Sequence, residues 1–275
     1  ADGSQQAALT SPASYHWHSG PAWSPDGTKI AYSDDASDSL ISDIFVVNAD
    51  GTGSVNLTDT PSTNEGEPSW SPDGTRIAYT TNAIWTMNAD GSNQAALTFP
   101  ASSFEVHNQP AWSPDGTKIA YHNFNKNSGS SEIVVVNADG TSSVNLTNTP
   151  SIHEFDPAWS PDGTRIAYES DGSIWTMNAN GSGQAALTRK SIYHVHHDPA
   201  WSPDGTKILY RSNPTFISVT DDIIVINTDG TGYVNLTSKA GVDEFDPAWQ
   251  PVNHPPVAVG LVNPSSGQWY LRNSV

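Results

Sequence analysis

One phrase, Trp-Ser-Pro-Asp-Gly-Thr, occurs five times in this chain, starting at Trp23, Trp70, Trp112, Trp159 and Trp201, and a sixth, worn copy stands at Trp249-Gln250-Pro251. The spacings are 47, 42, 47, 42 and 48 residues. Self-similarity at this period, built from short strands and turn residues, is the signature of a β-propeller, whose blades bury their faces only by stacking on one another. Because long and short spacings alternate, the larger unit is a pair of blades, with 89 residues from Trp23 to Trp112 and again from Trp112 to Trp201. A ring of three such pairs has pseudo-threefold symmetry, and presents any residue near its axis three times.

Residues 21–58 show how a repeat becomes a blade. Pro21-Ala22-Trp23 begins a first strand, and Ser24-Pro25-Asp26-Gly27 is a turn. Lys29-Ile30-Ala31-Tyr32 alternates as a strand should, and Asp43-Ile44-Phe45-Val46-Val47-Asn48 is rich in β-branched and aromatic residues. Ala49-Asp50-Gly51-Thr52 carries an Asp-Gly hairpin signal ahead of an outer strand at Ser54-Val55-Asn56-Leu57-Thr58. Four antiparallel strands make one blade. The Asn-x-Asp-Gly phrases at Asn48, Asn88, Asn137 and Asn227 are read as hairpins, not calcium loops, and the Asn-Leu-Thr sequons at Asn56, Asn145 and Asn235 as outer-strand positions.

The expected fold is all-β, a six-bladed propeller formed by residues 1–275 as a single domain. Gln5-Gln6-Ala7-Ala8-Leu9-Thr10 matches the outer strands at Gln94-Thr98 and Gln184-Thr188, so it is expected to complete a sixth blade begun at Trp249, with middle strands at 257–261 and 268–272. Joining both ends in one blade would remove an open sheet edge. Residues 252–275 read either as a degenerate part of that blade or as the start of a linker to a further module. The opening Ala1-Asp2-Gly3-Ser4 suits a processed secreted protein or a cloning boundary.

Charge narrows the partners. With 29 acids against 11 bases the net charge is −18, which repels nucleic acid phosphates and anionic membranes. Five of the bases (Lys29, Arg76, Lys118, Arg165 and Lys207) fill one repeat position and form no patch. No apolar run reaches 18 residues, so no membrane insertion is expected, and cysteine is absent. A monomer is expected.

The repeat phrase, followed by an Ile-Ala-Tyr strand and an Asn-Ala-Asp-Gly hairpin, resembles the TolB-type propeller repeat family over roughly residues 1–251. The resemblance implies a bacterial protein, periplasmic or extracellular. It also implies a role of the kind found there: protein binding, gating of peptidases, or metal-dependent polysaccharide lysis as in oligogalacturonate lyase. Fold does not choose among these.

Five residues before each repeat Trp stand His18, Glu65, His107, Glu154, His196 and Glu244, histidine before every long blade and glutamate before every short one. Neighbouring positions have drifted (His16, Glu105, His194; Gly66, Phe155, Phe245) while this register has not. Three imidazoles around an axis suit a divalent transition metal (Zn, Mn, Fe, Cu or Ni), with the glutamates orienting them or completing the shell. A solvated polar channel without metal is the alternative. A second ring, Gly20, Glu67, Gln109, Asp156, Asp198 and Asp246, lies three residues before each Trp and reads either as a cation site or as turn caps.

His194-Val195-His196-His197 resembles the His-x-His segment that holds a divalent metal in oligogalacturonate lyase, although six blades are expected here where that family has seven, and no basic pocket for a polyanionic sugar is evident. Trp85 and Trp175 read as inter-blade core. Trp17 and Tyr15 stand where they could line the channel mouth or stack on a carbohydrate. Three functions therefore compete: a propeller with an axial His₃ metal site, structural or catalytic; a scaffold gripping a protein or peptide at its channel face; and a metal-dependent polysaccharide lyase.

Overall fold

The computed structural model describes residues 6–8, 16–36, 41–189, 194–214, 221–237, 245–249, 251, 259–263 and 268–272. The described residues form an all-β propeller of four-stranded antiparallel blades. Five blades are each wound from one continuous stretch, from the inner strand outwards. The first is His16–Trp23, Lys29–Ala36, Ser42–Asn48 and Val55–Asn56, and the second Gly66–Trp70, Arg76–Thr80, Ile84–Asn88 and Ala95–Ala96. The third is Glu105–Trp112, Lys118–Asn125, Ser130–Asn137 and Val144–Asn145, and the fourth Glu154–Trp159, Arg165–Ser170, Ser173–Asn178 and Ala185–Ala186. The fifth is His194–Trp201, Lys207–Pro214, Asp222–Asn227 and Val234–Asn235.

Six blades were expected, and five are built in this way. The two ends of the chain meet in a further four-stranded sheet, ordered Gln6–Ala8, Gln268–Arg272, Val259–Asn263, Phe245–Trp249. Its strand Phe245–Trp249 lies against the inner strands of both the first and the fifth blade. The pairing of Gln6 with Arg272 and of Ala8 with Tyr270 joins the two ends as the repeat matching foresaw. The middle strand falls at 259–263, two residues later than expected.

The Ser-Pro-Asp-Gly-Thr turn owes its constancy to one carboxylate. Asp26 Oδ1 accepts from Ser24 Oγ at 2.6 Å, Thr28 N at 3.0 Å and Thr28 Oγ1 at 2.8 Å, while Gly27 takes a φ of 68°. These donors, Ser24 first, hold the Asp26 carboxyl below its ordinary range. The same network recurs at Asp73, Asp115, Asp162 and Asp204.

The core lies between blades. Ala78, Ile84 and Leu97 of the second blade pack with Trp112, Ile119, Tyr121, Val134 and Val136 of the third, and parallel clusters fill the neighbouring seams. Each fully buried Ile or Tyr there contributes about 2 kcal/mol. Four repeat Trp residues also stitch seams, the indole N–H donating to the preceding inner strand, whereas that of Trp112 has no partner. Trp70 reaches Ala22 O at 3.2 Å, Trp159 reaches Ala111 O at 3.2 Å and Trp201 reaches Ala158 O at 3.1 Å. Trp85 and Trp175 sit half-buried against these clusters, as expected of seam residues.

Candidate functional site

In the long blades the residue five before Trp lies within the inner strand, not in a loop, since those strands start at His16, Glu105 and His194. It also faces the seam. His107 is 5% exposed; its ring is 4.8 Å from Tyr121, and its Nδ1 is 2.8 Å from Thr98 Oγ1, at the end of the second blade. Thr98 Oγ1 also accepts from Ile84 N at 2.9 Å, and its proton and second lone pair are left to meet Nδ1. Burial of the ring disfavours its charged form, so the imidazole is neutral. His196 repeats the arrangement with Thr188 at 2.8 Å, Ile174 N and Tyr210. His18 packs on Tyr32 at 4.9 Å and has Nε2 3.5 Å from Asp34. Burial lowers the His107 pKa, and burial with two neighbouring histidines takes His196 down to about 4.

The glutamates occupy the equivalent place in the seams that follow long blades. Glu65 and Glu154 are 3% and 2% exposed; Oε1 of Glu65 accepts from Thr60 Oγ1 at 2.6 Å, and that of Glu154 from Thr149 Oγ1. In both, Oε2 has no hydrogen-bond partner. The alternation has a counterpart across the seam. The third strand of a long blade brings an acid, Asp43 or Glu132, whose carboxylate accepts from Thr58 or Thr147, whereas short blades have Ala83 and Ser173 at that point. A seam with an acid already present receives a second carboxyl; a seam without one receives a neutral imidazole. Burial, reinforced by Asp43, raises the Glu65 pKa; burial, reinforced by Glu132, takes Glu154 to about 7. Glu244 lies outside the described residues.

The expected His₃Glu₃ metal ring does not fit this placement. His18, His107 and His196 stand in separate seams, and Nδ1 of His107 and of His196 is engaged by threonine. Among the described residues no group of three or more His, Asp or Glu is disposed to hold a metal ion.

The axis belongs to the second ring. Ser19, Gly20, Glu67, Gln109, Asp156, Asp198 and Asp246, with the prolines that follow the ring residues, line one central cavity of about 300 Å³. Each ring residue sits at a break in strand register, such as that between Asn108 and Ala111. Each also has a positive φ: 60° at Gly20, 53° at Glu67, 54° at Gln109, 53° at Asp156 and Asp198, and 48° at Asp246. For the non-glycines this costs on the order of 1 kcal/mol apiece. The bulge swings four of these side chains round to the next blade. Glu67 Oε2 accepts from Gln109 N at 2.7 Å, Gln109 Oε1 from Asp156 N at 3.1 Å, Asp156 Oδ2 from Asp198 N at 3.4 Å, and Asp246 Oδ2 from Gly20 N at 3.0 Å. Asp198 forms an ion pair with Arg211 at 2.9 Å, off the line of the Nε–H bond.

The TolB beta propeller domain family matches residues 100–255, more than half of the chain. The chain belongs to this family. Among solved structures it is similar to TolB from Acinetobacter baumannii (TM-score 0.70, 19% identity, 91% of this chain and 64% of that one). It is also similar to TolB from Agrobacterium tumefaciens (TM-score 0.70, 20% identity, 94% and 91%). An oligogalacturonate lyase from Vibrio parahaemolyticus also matches (TM-score 0.67, 13% identity, 98% and 93%). Identities this low speak for the fold alone, and the chain spans just under two thirds of the A. baumannii TolB. A comparison with curated protein sequences found no match.

In this TolB-type propeller the residue after each strand-two Tyr forms a further row beside the ring, which the sequence reading passed over. Ser33 meets Ser19 at 3.0 Å, Thr80 donates to Glu67 at 3.0 Å, and His122 Nε2 meets Asn108 at 3.2 Å. Glu169 pairs with His197 Nδ1 at 2.6 Å, and Arg211 donates to Asp221 at 3.0 Å. Its signal was available: Ser33, Thr80, His122, Glu169 and Arg211 all differ, directly after a Tyr that never changes. The row breaks the pseudo-symmetry, gathering most of its charge on the fourth and fifth blades.

Burial raises the Glu67 and Asp156 pKa values, with nearby ring carboxylates adding to it, and takes Asp246 to about 6. These side chains are half-exposed to the channel and walled by protein elsewhere; the wall sets the direction of the shift and channel water limits its size. The ring thus holds four carboxyl groups whose negative charge is only partly offset by Arg211. Such a mouth attracts cations and protonated amines.

Proposed function

We propose that this chain is an interaction module, a propeller whose terminal sheet serves as the sixth blade and whose axial mouth receives a cationic group from a protein or peptide partner, a lysine, arginine or amino terminus. The observation carrying the reading is the strained ring itself. Five non-glycine residues hold left-handed backbone around one cavity, and four of them are acids. Outliers of this kind, repeated and convergent, are found where a fold stores strain for recognition. Membership of the TolB family and the charge of −18 support the same reading, in a periplasmic or extracellular setting. No helix among the described residues is long and apolar enough to cross a membrane. The polysaccharide-lyase reading has less support, since a polyuronate would meet these carboxylates.

The test is binding of a fluorescent tetralysine peptide, followed by anisotropy. The double variant Asp156→Asn with Asp246→Asn keeps the amide contacts and removes charge. It is expected to weaken binding at least ten-fold, on the scale of lost close charge pairs, and to flatten the salt dependence. Equal binding by both proteins would defeat the proposal.

A further inference from the structure

A second cavity, of about 530 Å³, opens between the loop that leaves the first blade and the face of the second. Its size is that of a small-molecule site. Trp85 and Tyr79 supply aromatic wall, their ring centroids 6.5 Å apart. Three side-chain amides, Asn64, Asn82 and Gln94, and several hydroxyls complete the lining with Glu65. No lysine, arginine or histidine lines it. Glu65 is 3% exposed, and its Oε2 lacks a hydrogen-bond partner although a buried carboxyl oxygen ordinarily has one.

We propose that this pocket binds a neutral sugar, a di- or trisaccharide with one ring face laid on Trp85 and its hydroxyls shared among the amides and Glu65. The chemistry of the lining selects the class. An aromatic face suits the C–H side of a pyranose, amides and hydroxyls both donate and accept, and an orphan acceptor beside them calls for an O–H donor. The want of any cation in the lining, with Glu65 and Asp43 close by, turns away uronates and phosphorylated sugars. The fourth blade supplies an internal control. Tyr168, Trp175, Gln184 and an equally unpartnered Glu154 recur there, but Ile152 and His153 stand in place of Thr63 and Asn64, and His153 stacks on Phe155 at 5.8 Å.

Isothermal titration with cellobiose, maltose, N,N′-diacetylchitobiose and digalacturonate tests the assignment. At least one of the three neutral sugars is expected to bind with a dissociation constant of about 1 mM or tighter, and digalacturonate is not. Trp85→Ala should weaken that binding at least ten-fold, as loss of a central aromatic anchor does, while Trp175→Ala should leave it unchanged. Because Trp85 also packs on the seam, Asn82→Trp, at an exposed position that narrows the mouth, provides a second variant with the same expected loss. Failure of all three neutral sugars to bind, binding that survives both pocket variants, or equal binding of digalacturonate would overturn the proposal.

Discussion

Across the seam between the second and third blades, His107 meets Thr98 as a neutral imidazole hydrogen-bonded through Nδ1. Across the next seam, Glu154 meets Thr149 beside a second carboxyl, Glu132, and is pushed up to about 7. The two places are the same in backbone, in the Tyr they pack on and in the Thr that closes the preceding blade. They differ on the far side, Ala83 against Glu132 and Pro100 against Thr149. A buried position takes the protonation state its neighbour leaves room for, and a duplicated pair of blades preserves both halves of that match. Alternation around a ring is therefore no proof of a ligand at its centre.

The comparison breaks most visibly if the two residues are exchanged. His107→Glu would bury a carboxyl beside Thr98 and against Tyr121, and an expected loss of roughly 3 kcal/mol should appear in urea unfolding. A loss below about 1 kcal/mol would mean that the seams are interchangeable. The pH dependences sharpen the contrast. Glu154 holds its proton more tightly when folded, so its contribution is fully present below the ordinary glutamate value near 4.5 and is lost as pH rises to about 7. Glu154→Gln should remove a decline on the order of 1–2 kcal/mol over that range, and an unchanged pH profile would place the carboxyl's titration elsewhere.

His196 runs the other way. Its folded pKa of about 4 lies below the ordinary 6.5, so stability is present above pH 6.5 and lost as pH falls towards 4. His196→Gln, which retains an acceptor for Thr188, should flatten that acid limb by about 1 kcal/mol, visible as a smaller fall in Tm between pH 6.5 and 4.5. An equally steep acid limb would show that His196 is protonated in the folded state. In the wild type the two slopes oppose one another between pH 4.5 and 6.5, and measuring both variants separates them.

The strands, the turns and the meeting of Gln6 with Arg272 could be read from the repeat, because each rests on local chemistry that recurs: Ser-Pro-Asp-Gly, Asn-Ala-Asp-Gly, and alternating β-branched residues. The alternating His and Glu register was equally legible, and so was the ring at 20, 67, 109, 156, 198 and 246. What could not be read was which of the two faces the axis. Strict alternation along a strand puts His107, Gln109 and Ala111 on one face. The bulge between Asn108 and Ala111 and the φ of 54° at Gln109 undo that parity, and the only trace of them in the sequence is the proline that follows. Side-chain partners across a seam, such as Thr98 for His107, lie outside any one repeat, so the phrase itself does not carry them.

The sheet that joins the two ends also sets a timetable. Gln6–Ala8 is made long before Gln268–Arg272, yet they are neighbours. At about 5–20 residues per second of synthesis, the first blade must wait tens of seconds before the strand that fastens the circle exists. Throughout that interval the growing array of blades presents unpaired edges, and only the arrival of Gln268–Arg272 turns an open spiral into a washer. Closure of such a ring is one late event shared by every seam, so the finished molecule should resist unzipping from its ends far better than any open array of the same blades.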